Sequence, residues 1–275
     1  MHSESVVSVG VSNMLRNRVY TALALALAAA ITIFWSPIWL FGIIFGFACC
    51  FAAYEWAAMA GWRTPRNRLF YVFSLVSLML LSLTVQTLWL EIVTLSCLVW
   101  FGGFVSIIMH PRISAVYRSH WFVASLGWIL LLSAWFGLLT LVQVDNGRLW
   151  VFWLFLLTTA TDVGAFFLGR AFGQNALAPQ ISPSKTREGA GGGLVLALVV
   201  CVPMLFLSGA LDFYASIGMT IVMSIVSIFG DLFESLLKRV SGIKDSGALL
   251  PGHGGLLDRI DSIIAVVPFL AWSVC

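Results

Sequence analysis

Residues 38–60 read IWLFGIIFGFACCFAAYEWAAMA, an apolar run of the length that a helix needs to cross a membrane. About 20 consecutive apolar residues span the hydrocarbon core of a bilayer. The whole chain has this character: 60% of its 275 residues are hydrophobic and 10% are charged, whereas about a quarter of the residues in a soluble domain carry a charge. This composition excludes a soluble fold and predicts an all-α, polytopic integral membrane protein.

Similar apolar runs predict about nine transmembrane helices. The runs cover residues 19–34, 38–60, 69–86, 90–109, 121–143, 149–168, 190–209, 213–237 and 262–275. The first run could be the apolar region of a signal peptide, but a second long run follows it almost immediately, which favours a retained span. The last run is short for a complete crossing.

The distribution of basic residues supports this count, because Lys and Arg collect in cytoplasmic loops. All fifteen Lys and Arg residues except Arg148 lie before the first run or in every second connection after it. The N-terminus is therefore predicted to be cytoplasmic, and an odd number of spans places the C-terminus outside.

Acidic residues are concentrated in the second half of the chain. Eight of the twelve acids follow residue 160, so we expect function to reside there. We divide the chain into a cytoplasmic N-terminal segment (1–18), membrane scaffold helices (19–148) and a candidate catalytic membrane region (149–275) with cytoplasmic loops at 169–189 and 238–261. The net charge of +3 and the five scattered cysteines indicate neither a nucleic-acid partner nor a cysteine-based metal site or disulfide framework.

The eighth predicted span carries a polar stripe when its residues are plotted at 100° intervals. The stripe consists of Thr220, Ser224, Ser227, Asp231, Glu234, Ser235 and Lys238. The hydroxyls can bond to their own backbone, and Glu234 can pair with Lys238. An acid such as Asp231, about two turns from the helix end, is costly in a membrane unless it is paired, hydrated or bound to a cation. Asp231 is therefore a candidate functional residue.

Three segments combine cations, glycines and carboxylates. They read KRVSGIKDSGALLPGHGGLLDRID at 238–261, DVGAFFLGRAFG at 162–173 and SPSKTREG at 182–189. Glycines let backbone amides approach an anion, and Lys and Arg neutralise phosphate oxygens. Carboxylates among these cations are explained if they hold a hard metal such as magnesium, which itself bridges to phosphates. The alternative for SPSKT is a turn that caps the next helix.

The spacing within these segments resembles a known family. From Ser235 to Asp261 the chain resembles the signature of phosphatidate cytidylyltransferases, the CDP-diacylglycerol synthases, at every specified position, and the two upstream segments resemble the same family. Ser184 is a departure, since a second lysine is expected there. The resemblance covers residues 160–262, and the N-terminal half agrees only in having several membrane spans.

The resemblance implies that CTP and phosphatidic acid from the inner leaflet react to give CDP-diacylglycerol and pyrophosphate. It assigns Mg²⁺, with a second cation as an open alternative, to Asp231 and Asp258. It also implies that the phosphates are bound by Lys238, Arg239, Lys244 and Arg259. Asp261 would orient Arg259 or metal-bound water. His253 either hydrogen-bonds a phosphate or donates a proton to the leaving group. The implied substrate-binding residues are Asp162, Ser182, Lys185, Thr186, Glu188, Ser235, Asp245, Gly254 and Gly255.

The resemblance also implies a homodimer, and the compact length and minimal cytoplasmic tails favour a bacterial cytoplasmic membrane with the site facing the cytoplasm. Two other functions stay open from the sequence. One is a CTP-dependent enzyme that acts on another lipid phosphate, such as an isoprenoid-linked one. The other is an ion-coupled transporter, in which a polar stripe would line the ion path, although paired halves and discontinuous helices are not visible. The Asp-Gly-x-x-Ala-Arg pattern of CDP-alcohol phosphotransferases is absent.

Overall fold

The computed structural model describes residues 27–85, 88–247 and 254–275. Within these ranges the fold consists of long helices and one small hairpin. The helices are residues 27–35 (α1), Ile38–Met59 (α2), Pro65–Leu83 (α3), Trp89–Ile108 (α4), His120–Leu141 (α5), Gly147–Phe172 (α6), Arg187–Leu207 (α7), Phe213–Val240 (α8) and Leu257–Val274 (α9). A short 3-10 helix, Val116–Arg118, precedes α5.

Seven of the described helices, α2 to α8, are long and apolar enough to cross a membrane. The predicted all-α, polytopic membrane fold is therefore confirmed. The predicted first span, 19–34, lies partly outside the described residues. The last helix begins at Leu257 instead of residue 262 and has 18 residues. It was predicted too short because its first turns carry the charged residues Asp258, Arg259 and Asp261.

Several helices begin where the sequence supplies a capping group. The Thr64 side chain accepts a hydrogen bond from the amide of Asn67, with Pro65 in the first helical position of α3, where its missing N–H costs nothing. Thr186 and Asp212 cap α7 and α8 in the same way. These side chains satisfy amides that a helix leaves without an internal partner.

The connection between α6 and α7 contains the described sheet, which the sequence did not predict. Ala176–Ala178 (β1) pairs antiparallel with Ser182–Thr186 (β2). Both strands are too short to show a readable alternation of polar and apolar residues. The hairpin places β2, with Lys185, beside the end of α6.

Aromatic donors fix the scaffold helices against α5, the most enclosed of the candidate spans. Trp56 and Trp135 donate to the carbonyl oxygens of Val123 and Gly42 at 2.7 and 2.8 Å, and the Tyr71 hydroxyl donates to that of Ala124 at 2.7 Å. Buried Trp and Tyr side chains need such partners because they carry one polar group on a large apolar body. The bonds join α2 and α3 to α5.

The ends of the bundle agree with the loop assignment from basic residues. Ser241, after α8, donates to the carbonyl of Met59 at the end of α2, and Arg239 donates to that of Ile181 in the hairpin. The three loops joined by these contacts, which follow α2, α6 and α8, were predicted to share one side, and they lie together. Arg148, the exception in the distribution of charges, donates to the carbonyls of Ile33 and Ser36 at the end of α1, where a helix leaves carbonyls free.

The α6–α7 contact depends on small residues. A Cβ added to Gly164 would lie 2.6 Å from the carbonyl oxygen of Gly192 and 2.9 Å from the Cα of Gly193, whereas one added to Gly191 would meet nothing within 4 Å. We expect Gly164→Ala to lower stability by about 1–3 kcal/mol through overpacking. Gly191→Ala should be neutral or slightly stabilising, because Ala favours a helix. Thermal unfolding in detergent measures both; equal melting temperatures for the two variants would contradict this packing.

Candidate active site

A polar cavity of about 600 Å³ opens between α6, the hairpin, α8 and the start of α9. Its charged lining residues are Asp162, Arg170, Lys185, Asp231, Asp258, Arg259 and Asp261. Six of these seven belong to the site residues predicted from sequence. Arg170 lines the cavity as well but was not among those predicted residues. The structure thus brings the three predicted segments together around one volume that contains both signs of charge.

Three carboxylates meet beside this cavity, and two of them, Asp231 and Asp261, line it. One oxygen from each of Asp231, Glu234 and Asp261 lies within 4.8 Å of the other two. Asp231 and Glu234 are three residues apart on α8 and so share a face, and Asp261 comes from α9. Gly230 allows the two helices to approach, since a Cβ there would clash with the Cβ of Ala265 on α9. The side chains of Glu234 and Asp261 are buried.

Two lysines neutralise these acids. Lys185 of β2 forms an ion pair with Asp231. The Lys238 ammonium lies 3.0 Å from a carboxylate oxygen of Glu234 and 2.7 Å from one of Asp258, and its side chain is 12% exposed. The pairing of Glu234 with Lys238 that the sequence allowed is therefore present. Lys238 does not line the cavity, so its predicted contact with phosphate would require it to leave two carboxylates.

Asp258 is held on both sides of its carboxylate. One oxygen contacts Lys238, and the other accepts hydrogen bonds from the amides of Gly255 and Ser246 at 3.2 and 3.3 Å. Gly254 has a φ of +85°, a conformation that glycine adopts without strain. Asp258 therefore lines the cavity as a fixed acid, and its predicted role as a metal ligand stays a prediction.

Two further predicted residues of the hairpin segment have structural partners. Thr186 accepts a bond from the amide of Gly189 at 3.1 Å and caps α7, as the alternative for this segment proposed, while it also lines the cavity. Glu188 accepts bonds from the amides of Gln174 and Asn175 and so holds the segment between α6 and β1.

The remaining predicted residues lie around the cavity without lining it. Ser182 is buried in β2 and Ser235 is half-buried on α8, whereas Arg239, Lys244 and Asp245 are exposed. Gly255 is buried and Gly254 is half-buried. His253 lies outside the described residues, so its two alternative roles stay predictions.

One acid next to the site was missed. Glu55 of α2 is 5% exposed, and its carboxylate accepts hydrogen bonds from Ser246, Leu256 and Leu257. A lone carboxylate inside a predicted span was a signal that a partner had to exist. Glu55 lies far outside the region after residue 160, in which most of the acids are concentrated.

A second cavity, of about 580 Å³ and mostly apolar, adjoins the polar one. Ile107 and His110 line it together with residues of the hairpin and α8. Leu177, Ala190 and Ile228 line both cavities. The site therefore joins a charged volume to an apolar one.

The Lys238 ion pairs predict a large stability effect. Lys238→Met would leave Glu234 and Asp258 without their shared cation. Removing one member of a buried ion pair costs about 3–5 kcal/mol. We expect a clear fall in melting temperature in detergent, whereas Lys244→Met, at an exposed position, should change it little. Equal stability of the two variants would show that Lys238 does not hold the acids together.

Comparison with known proteins identifies the family. A family model described as a cytidylyltransferase family matches residues 16–274. The phosphatidate cytidylyltransferase of Pseudomonas aeruginosa is 36% identical over 261 residues, which cover 94% of this chain and 96% of that protein. That of Haemophilus influenzae is 30% identical, with 94% and 98% covered. That of Staphylococcus haemolyticus is 46% identical over 127 residues, 46% of this chain and 49% of that protein. The chain therefore belongs to the cytidylyltransferase family.

Proposed function

We propose that this protein transfers the cytidylyl group of CTP to phosphatidic acid and produces CDP-diacylglycerol and pyrophosphate. The observation that carries the proposal is the junction of a charged cavity with an apolar one at the loop end of a membrane bundle. A water-soluble nucleotide and a lipid phosphate can meet only where such environments join. The printed name of the similar bacterial proteins, phosphatidate cytidylyltransferase, agrees with this pair of substrates.

The reaction does not require the protein to act as a strong general base. An oxygen of the phosphatidate monoester attacks the α-phosphorus of CTP in line. The new P–O bond forms as the bond to the bridging oxygen of the β-phosphate breaks, and pyrophosphate leaves with that electron pair. The attacking monoester is already ionised, so catalysis rests on positioning and on neutralising phosphate charge. Lys185 and Arg259, both in the cavity wall, are the cations that we assign to the phosphates.

The carboxylate cluster fits a divalent cation. Hard cations such as Mg²⁺ prefer oxygen ligands, and Asp231, Glu234 and Asp261 offer three within 4.8 Å of one another. One oxygen of Glu234 is buried and has no hydrogen-bond partner within the described ranges. Magnesium would supply charge neutralisation for the phosphates. We assign its ligands to this cluster around Asp231; Asp258, the second predicted ligand, would join it only by giving up its contact with Lys238.

The apolar cavity is the place for an acyl chain. Its lining includes Ile225, Ile228, Phe229 and Leu232 on one face of α8, the helix that also carries Asp231 at the polar cavity. A lipid lying along this face would bring its phosphate to the cations. We further propose that the loops on the basic side face the cytoplasm of a bacterium, with phosphatidic acid taken from the inner leaflet, and that the protein is a homodimer.

Pyrophosphate release by the purified protein in detergent micelles tests this function. We expect release only when CTP, phosphatidic acid and Mg²⁺ are all present, because the metal and both substrates share one site. Omitting each in turn provides the controls, and transport is impossible in micelles. Release with an isoprenoid-linked phosphate but not with phosphatidic acid would contradict the proposed acceptor. Failure of the folded protein with every lipid phosphate would contradict the enzymatic function.

In the same assay Asp231→Asn tests the metal assignment. Losing a charge-stabilising group at the reacting centre typically costs roughly 100-fold or more in kcat. The matched control is Asp212→Asn, because Asp212 is an exposed cap of the same helix and Asn caps equally well. We expect Asp231→Asn alone to lose activity and to require more Mg²⁺ for half-maximal rate. Wild-type rate and Mg²⁺ dependence in the folded Asp231→Asn variant would rule this ligand out.

A further inference from the structure

A carboxylate from the scaffold binds residues near both ends of the connection between α8 and α9. Glu55 belongs to α2, and Ser246 follows it by 191 positions along the chain. One Glu55 oxygen accepts bonds from the amide of Leu257 at 2.7 Å and the hydroxyl of Ser246 at 3.2 Å, and the other accepts from the amide of Leu256 at 3.1 Å. The side chain thus contacts the loop on both sides of residues 248–253.

These bonds cap α9 from another helix. The first amides of a helix have no partner within it, and α9 begins at Leu257 with Leu256 before it and no side-chain cap of its own. The carboxylate of Glu55 supplies the missing acceptor, and its negative charge is favourable at the positive end of the helix dipole. The start of α9 is therefore set by a residue of the scaffold.

The same backbone that binds Glu55 also binds Asp258. Ser246 gives its hydroxyl to Glu55 and its amide to Asp258. Gly255 gives its amide to Asp258, and the next amide, of Leu256, goes to Glu55. A Cβ on Gly255 would lie 2.7 Å from a Glu55 oxygen, so Gly255 is packed closely on this carboxylate. Moving Glu55 would move both backbone donors of Asp258.

We propose that Glu55 is a positioning residue for the transfer reaction: it fixes the start of α9 and the backbone at Ser246 and at Gly255, and thereby the orientation of Asp258 and Arg259 in the polar cavity. The proposal rests on the proposed function. The role of Glu55 goes beyond that function, because it gives the N-terminal scaffold a specific part in the reaction. Glu55 itself does not line the cavity within the part of the chain that the structure describes, so it acts through the residues it holds.

The test is Glu55→Gln, which keeps the size of the side chain but replaces one acceptor by an NH₂ group and removes the charge. Loss of a residue that orients a reactive group typically costs roughly 10-fold to 100-fold in activity. We expect a fall of this size in kcat, a rise in the Mg²⁺ concentration for half-maximal rate, and a KM for CTP changed by much less. Glu55→Asp, which keeps the carboxylate on a shorter stem, should recover part of kcat.

The matched control is Glu91→Gln, which removes the same charge from an exposed position in the first turn of α4 and should leave all three quantities unchanged. Failure of the wild-type protein to release pyrophosphate would count against the proposed function and not against Glu55 alone. If wild type and Glu91→Gln are active, two results would overturn the proposal. One is wild-type kcat and Mg²⁺ dependence in Glu55→Gln; the other is a lower melting temperature with unchanged kcat per folded molecule, which would show a purely structural role.

Discussion

Carboxylates inside a membrane protein must be neutralised, and this requirement organises one end of the bundle. Asp231, Glu234 and Asp261 are brought within reach of one another, and Asp258 lies across Lys238 from Glu234. Such a group of charges is unfavourable in an apolar medium without cations. Two lysines on different elements supply the positive charge, and the rest of the site is built around them.

This requirement explains why a hairpin interrupts an otherwise helical chain. Lys185 reaches Asp231 because β2 runs beside α6 and α8, and Arg239 anchors the hairpin through the carbonyl of Ile181. A helix in that place would satisfy its own backbone hydrogen bonds. Its side chains would point in all directions around the helix axis, whereas the strand directs Lys185 towards the cavity. The hairpin also supplies Leu177 to both cavities. It is therefore the element at which charged and apolar volumes meet.

Much of this arrangement could be predicted from the sequence, and what could not has a physical cause. The length of the apolar runs predicted the helices, and the distribution of basic residues predicted which loops share a side. The three charged motifs contained most of the charged residues that line the cavity. Only one of the two ion pairs of Lys238 could be predicted. Glu234 is one turn away on the same helix, but the contact with Asp258 depends on how α8 and α9 pack. Glu55 illustrates the same limit, because contacts between distant helices leave no periodic signal.

In the proposed reaction, the α-phosphate of CTP becomes bonded to a lipid phosphate within this cavity. The most direct test uses CTP labelled with ³²P at either the α or the γ position, incubated with the purified protein, phosphatidic acid and Mg²⁺, followed by extraction into organic solvent. We expect the α label to enter the lipid phase and the γ label to remain in water as pyrophosphate. Transfer of the γ label to lipid, or retention of both labels in water by the folded protein, would contradict it.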